Sequence, residues 1–421
     1  MSARSVMLTG AAVSLLAPLA HGADLTITAG AEFEWTDNVF ASSSERRNDL
    51  VESLTFGADA EDSEASYSYN IGYQMSHERY ERDSFAAENY YTGDASLLWF
   101  PLPGRFDWRF EVASEVTQRS SQGALTPDNR DQRTTYSTAP RLVLFSTPRD
   151  MVYIGTNASK VTFREDDGND SDRFGGTVGW LHTLSSLTAL VFMTNHEEIN
   201  FEDVEDYQRS SYSFGVNRQI NGGSVSIAAG QTELVPEESE TRKGMNATGN
   251  IEWSNLTHSL SMVLSRDLTD TSSSFGGWAE GGDFTPGDVN TGELALVTRT
   301  RISLADVFRV SPTLEFSMMV YSESEKSDDD TTDIDRKGTS LRATKSLSIE
   351  TSVRAEYSYE RDDDLALNSV ERTSTYRLAL DKRYGSRVTV SGWVRREASK
   401  SDVDDFGYEV HAVGVSGLVS Y

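Results

Sequence analysis

Read with a period of two, the chain shows one apolar and one polar face again and again. Leu25, Ile27, Ala29, Ala31, Phe33 and Trp35 alternate with Thr26, Thr28, Gly30, Glu32 and Glu34. Phe106, Trp108, Phe110 and Val112 alternate with Asp107, Arg109 and Glu111. Val353, Ala355, Tyr357 and Tyr359 alternate with Arg354, Glu356 and Ser358, and Tyr376, Leu378 and Leu380 with Arg377 and Asp381. Such alternation predicts strands, because successive side chains of extended backbone point to opposite faces. Amphipathic helical stripes are nearly absent.

The connections alternate too. One set is short and rich in Pro, Gly, Asn and Ser, as tight hairpins require: 61–64, 101–104, 146–149, 184–186, 221–223, 254–255, 304–306 and 384–386. The other is longer and mostly acidic: 38–48, 78–88, 119–132, 164–173, 200–206, 236–243, 269–288, 323–336 and 361–369, with a short one near 400–404. Long and short in turn is the plan of an outer-membrane barrel, with loops outside and turns in the periplasm. The segments predict an all-β, antiparallel, up-and-down transmembrane barrel of about 20 strands. The number falls to about 18 if the irregular stretches at 88–100, 133–145 and 336–348 are not all strands.

Residues 1–22 read as a signal peptide. Arg4 is the only charge before Asp24, an apolar stretch runs from Val6 to Leu19, and Ala20-His21-Gly22 offers small side chains to a signal peptidase. The stretch is shorter than the ~20 residues a membrane anchor needs. Residues 23–421 are then a single barrel domain in the outer membrane of a Gram-negative cell, with acidic extracellular loops.

Composition removes other classes. The 421 residues include 66 acidic and 38 basic side chains, for a formal net charge of -28, and no cysteine. That excludes a disulfide scaffold and a nucleic-acid binder. Aromatics make up 10% of the chain, too many for an acidic disordered coil. A soluble propeller or β-helix fits less well than a barrel. No blade motif recurs, and aromatics gather near segment ends, at Trp35 and Phe40, Tyr90 and Tyr91, Trp99 and Phe100, and Phe106 and Trp108. Charge also sits deep inside strands, where only a wet lumen tolerates it. By parity Asp107, Arg109, Glu111, Arg299, Arg301, Arg342, Arg354, Glu356, Arg377, Asp381 and Arg395 are expected to line that lumen. Trp393 is a candidate platform for a sugar face. The alternative is that these charges pair across strands and only stiffen the wall.

The last strand carries an insertion signal for the barrel-assembly machinery. Val413, Val415, Val419 and Tyr421 share one parity and the chain stops on an aromatic. Phe406, Tyr408 and Val410 have the other parity, so either a bulge near Ala412-Val413 shifts the register or the upper segment lies beyond the lipid.

Trp35, Asp37, Asn38, Val39 and Phe40 close the first strand. This element resembles the aromatic-x-Asp-Asn-Val/Ile-Phe/Tyr motif of outer-membrane β-barrel porins associated with exopolysaccharide clusters, including PEP-CTERM-type ones. The remainder of the chain matches that family in architecture and size. The resemblance implies an exit conduit for a secreted polysaccharide, with periplasmic polysaccharide-export components as partners. Outer-membrane lipid and lipopolysaccharide are the surrounding partners. Read from the residues alone, Asp37 and Asn38 are caps of the first hairpin.

Little points to catalysis. His196-Glu197-Glu198 lacks the second histidine of a zinc protease, and no Gly-x-Ser-x-Gly occurs. His196 with Glu197, Glu198 and Glu202 is the nearest candidate for an outer-membrane hydrolase. The acidic runs Asp166-Asp167-Gly168-Asn169-Asp170 and Asp328-Asp329-Asp330-Thr331-Thr332-Asp333-Ile334-Asp335 do not fit EF-hand spacing. No metal or cofactor is called for. The long loop 269–288, with Gly276, Gly277, Gly281 and Gly282, is the expected constriction. The reading is a porin-like pore or export conduit. The alternatives are a structural or adhesive barrel with cation-binding acidic loops, and a hydrolase.

Overall fold

A computed structural model describes residues 24–119, 124–164, 170–202, 205–270, 296–327, 333–365, 368–402 and 407–421. The expected signal peptide lies outside the described residues. So do most of both acidic runs and almost all of the loop at 269–288.

Twenty strands follow one another: β1 Asp24–Thr36, β2 Asp49–Ser63, β3 Tyr67–Tyr80, β4 Glu88–Leu102, β5 Phe106–Gln118, β6 Arg130–Ser146 and β7 Asp150–Phe163. Then come β8 Ser171–Ser185, β9 Thr188–Phe201, β10 Tyr207–Ile220, β11 Gly223–Pro236, β12 Arg242–Ser254, β13 His258–Asp270 and β14 Leu296–Ser311. The last are β15 Leu314–Ser327, β16 Ile334–Ser346, β17 Thr351–Asp364, β18 Ser369–Tyr384, β19 Val388–Ser401 and β20 Tyr408–Ser420. Each pairs antiparallel with its chain neighbours, and β1 pairs with β20, so the sheet is a closed barrel. The irregular stretches are strands β4, β6 and β16. Among the described residues the one helix is a single 3₁₀ turn, Pro127–Asn129.

Closure is made by both ends of the chain. The Tyr421 N–H donates to the Ile27 carbonyl at 2.9 Å, and the Ile27 N–H donates back at 3.0 Å. Val419 stands opposite Ala29. The register between β19 and β20 runs without a bulge. Tyr408 and Val410 therefore face the lumen near the long-loop rim, where the Tyr408 hydroxyl donates to Glu397 at 2.8 Å. Val413 and Val415 face outward and are exposed. The bulge that would explain the parity conflict is therefore absent: Tyr408 and Val410 put apolar groups on the inward face at the rim, and Phe406 lies outside the described residues.

The outward face is apolar, with Phe33, Leu378, Leu380 and Val415 exposed on it. On the inward face large rings seat on glycines of the neighbouring strand. A Cβ at Gly179, Gly338 or Gly414 would come within 2.1, 2.4 and 2.4 Å of the Tyr153, Tyr321 and Trp393 rings. Two expectations fail here. Residues 304–306 are inside β14, and the turn comes after Ser311, where Pro312 cannot extend the ladder. Tyr90 is not at the outer surface with Tyr91. Adjacent residues point opposite ways, and Tyr90 is 3% exposed on the inside, under the Arg130 and Arg164 guanidinium groups.

Candidate functional site: lumen and mouth

Cross-strand register places the inward charges. Arg342, Glu356, Arg377 and Arg395 occupy one continuous row across β16–β19. Glu356 accepts from Arg342 at 2.8 Å and lies 3.6 Å from Arg354, which is 3.7 Å from Asp381. Arg395 donates to Glu34 of β1 at 2.8 Å. Arg377 faces Arg395 directly, and both guanidinium groups lie over the Trp393 ring, at 4.6 and 5.9 Å. Trp393 is only 4% exposed, between those cations and Gly414. It is a spacer in the wall, and the expected sugar platform is not available on it.

The other predicted wall residues form separate groups. On β5, Arg109 pairs with Glu111 at 3.4 Å, and Asp107 accepts from Arg141 of β6 at 2.8 Å. On β14, Arg299 is 1% exposed and bonded to Glu325, with Glu323 3.8 Å away. A cation that deep is tolerable only with its carboxylates, since an unpaired buried charge costs several kcal/mol. Arg301 lies opposite Glu323. The exposed pairs stiffen the wall weakly, at about 0–1 kcal/mol each.

The mouth is shaped by two hairpins that leave the wall. The ladder between β4 and β5 ends at Gly93 opposite Ser114, although β4 starts at Glu88 and β5 runs to Gln118. Gly93 has φ 135°, a conformation that a side chain resists. Above it, side chains of β6 with outward parity meet inward groups of β3 and β4. Arg130 donates to Glu78 at 2.9 Å, and Gln132 bonds the Tyr91 backbone. The described residues on either side of this hairpin's tip reach the far wall. Gln118, Ala124 and Leu125 share a cavity of about 250 Å³ with Tyr321, Glu360, Asp362, Glu371, Glu397 and Tyr408. In a ring of twenty, β5–β6 and β15–β16 are diametrically opposed.

The second departure is at β12–β13. Their ladder ends at Ala247 opposite Arg266, while β13 continues to Asp270. Leu268 is buried with Ile199, Tyr207 and Leu234 from the inward face of β9–β11. Asp270 accepts from the Tyr207 hydroxyl and from Arg173, the latter at 3.1 Å. Sequence reasoning missed both departures. The signal was present in Asp131-Gln132-Arg133 and Leu268-Thr269-Asp270, where polar residues break the outward apolar parity.

The Asp37-Asn38 element lies at the seam. Asp37 accepts the His411 N–H at 2.7 Å, and Asn38 donates to the Glu409 carbonyl at 3.0 Å and to Ser42 at 2.9 Å. Trp35 faces outward, the Val39 N–H donates to Arg47, and Phe40 packs edge-on to Phe85. Among the described residues His196 forms no ion pair with Glu197, Glu198 or Glu202, although Glu198 shares its outward parity. Its ring faces outward and Nδ1 is 2.8 Å from the Ser210 hydroxyl, while Glu197 faces inward to Asn157 and Arg209.

No protein-family model matches the chain, and no curated protein matches it. Among solved structures it is similar to OccAB3 of Acinetobacter baumannii, at 10% identity, covering 95% of this chain and 99% of that one, with a TM-score of 0.40. It is also similar to the outer membrane protein OpdK of Pseudomonas aeruginosa, at 8% identity, 94% and 99% coverage and a TM-score of 0.40. The FrpB iron transporter of Neisseria meningitidis gives 8% identity, 94% and 81% coverage and a TM-score of 0.46. At such scores the architecture rests on this chain's own ladders.

Proposed function

We propose that the chain is an outer-membrane channel for hydrophilic solutes, narrowed at its outer mouth by the two inturned hairpins. The observation that carries this is the division of the closed wall. Its outward face is apolar, which water would not tolerate around a whole ring, and its inward face carries ionised arginines and carboxylates. A barrel of twenty strands is wider than the ~16–18 that already leave a channel in porins. Export of saccharide or exopolysaccharide is the favoured cargo, supported by the Asp37-Asn38 element and its resemblance.

The test is single-channel conductance of the purified protein in planar bilayers, with a variant lacking residues 120–126. Discrete openings that grow severalfold in the variant support the channel. Silence from both favours the structural barrel, a reading that the reach of Leu125 to the far wall also supports. Liposome swelling with neutral oligosaccharides then tests the cargo.

A further inference from the structure

Four cations stand side by side on the outward face. Lys337 of β16 is opposite Arg361 of β17, Arg361 is opposite Arg372 of β18, and Arg372 is opposite Lys400 of β19. Their parity is that of the exposed outward residues Leu341, Tyr376 and Val394. Like charges directly opposite one another on a sheet repel. A chain with a formal net charge of -28 has ample carboxylates to avoid this. The relief within the protein is partial. Arg361 pairs with Asp363 at 2.8 Å and Arg372 with Asp402 at 3.6 Å, both carboxylates on the rim side of the row. Lys337 and Lys400 are exposed and make no ion pair among the described residues.

The height of the row is informative. Four residues toward the short-turn end lies a row with Leu341, Tyr357 and Tyr376 on the same face, the two tyrosine rings 4.9 Å apart. Tyrosine belongs at a membrane–water boundary. Four residues of strand, at ~3.3 Å each and tilted ~45°, raise Arg361 roughly 10 Å above Tyr357 and Arg372 as far above Tyr376. Phosphate-bearing headgroups lie at that level. Between the two rows Thr339, Tyr359 and Ser374 add hydroxyls.

We propose that this row is a docking site for the phosphate groups of an anionic glycolipid of the outer leaflet, which seats on the β16–β19 wall. Arginine's fork and the lysine ammonium groups hold the phosphates, and the tyrosines pack against the acyl–sugar boundary. The site is on the outside of the wall and does not depend on what passes through the lumen.

The test uses the full-length protein in detergent, stripped of lipid, with lipopolysaccharide, its dephosphorylated form and inorganic phosphate as probes in native mass spectrometry. The expected result is retention of the phosphorylated glycolipid over the dephosphorylated one. Each cation removed costs about fivefold in affinity, so Lys337→Gln with Lys400→Gln loses about 25-fold. Lys337→Arg with Lys400→Arg retains binding. Both lysines are exposed, so heat-modifiable gel migration and conductance stay as in the wild type. Equal binding of the two glycolipid forms overturns the proposal, and so does unchanged binding in the double Gln variant. Inorganic phosphate binding as tightly as the glycolipid overturns the lipid assignment.

Discussion

The Gln132 side chain stands in for a missing strand beside Tyr91. Its amide nitrogen donates to the Tyr91 carbonyl at 2.9 Å, and its oxygen accepts the Tyr91 N–H at 3.1 Å. Where β4 and β5 part, one buried side chain thus satisfies both backbone groups. Gln132→Ala leaves them without partners, at about 1–3 kcal/mol for a buried unsatisfied group. The expected outcome is a lower midpoint for the heat-induced gel shift and faster proteolysis near residues 119–129. An unchanged midpoint and cleavage pattern would show that the gap is held by other groups.

Gly93 permits the parting itself. A Cβ there would stand 2.0 Å from the Gly72 carbonyl oxygen, on a backbone at φ 135°. Gly93→Ala is expected to cost about 1–3 kcal/mol from the dihedral alone. If the hairpin responds by returning to the wall, channel conductance rises as well, which bilayer recording measures.

Asn38 is 1% exposed and fastens the first loop across the seam to β20. Asn38→Asp keeps the oxygen that accepts the Ser42 N–H but loses both donated bonds, so it is expected to destabilise nearly as much as Asn38→Ala, by roughly 1–3 kcal/mol. Thermal gel-shift midpoints compare the two. A neutral Asn38→Asp would mean that the local turn, not the seam, is what the residue serves.

Glu205 supplies a pH-dependent clasp between two loops. The Ser239 hydroxyl, and after it the Glu238 and Ser239 N–H groups, hold its carboxyl below the ordinary value of 4.5. A depressed value means the folded form favours the ionised group. The clasp is therefore fully present above about pH 4.5 and is lost as pH falls through the lowered value. A spin label at position 240 is expected to be immobile at pH 7 and to gain mobility in acid. In Glu205→Gln it is mobile at every pH. Acid mobility identical in both variants would assign the change to another group.

Much of this was readable from residue order. Alternation is a local property, and it marked the faces that carry Phe33, Leu378 and Arg354 without reference to anything distant. The missed turn after Ser311 shows the limit, since Asp306 reads as a loop residue but sits inside β14, bonded to His258 at 3.1 Å. The last strand shows it again, because Tyr408 and Val410 are apolar positions that face inward.

The pattern of faces and the number of strands are written in the sequence, because extended backbone converts parity into side. Which hairpins leave the wall was decided only by the tertiary structure. Arg130 finds Glu78, Asp270 finds Arg173 and Leu125 finds the wall of Tyr321 and Tyr408 across tens to hundreds of residues. Closure of the ring sets those distances. No local rule ranks a ladder bond at Gly93 against contacts made on the opposite side of a barrel.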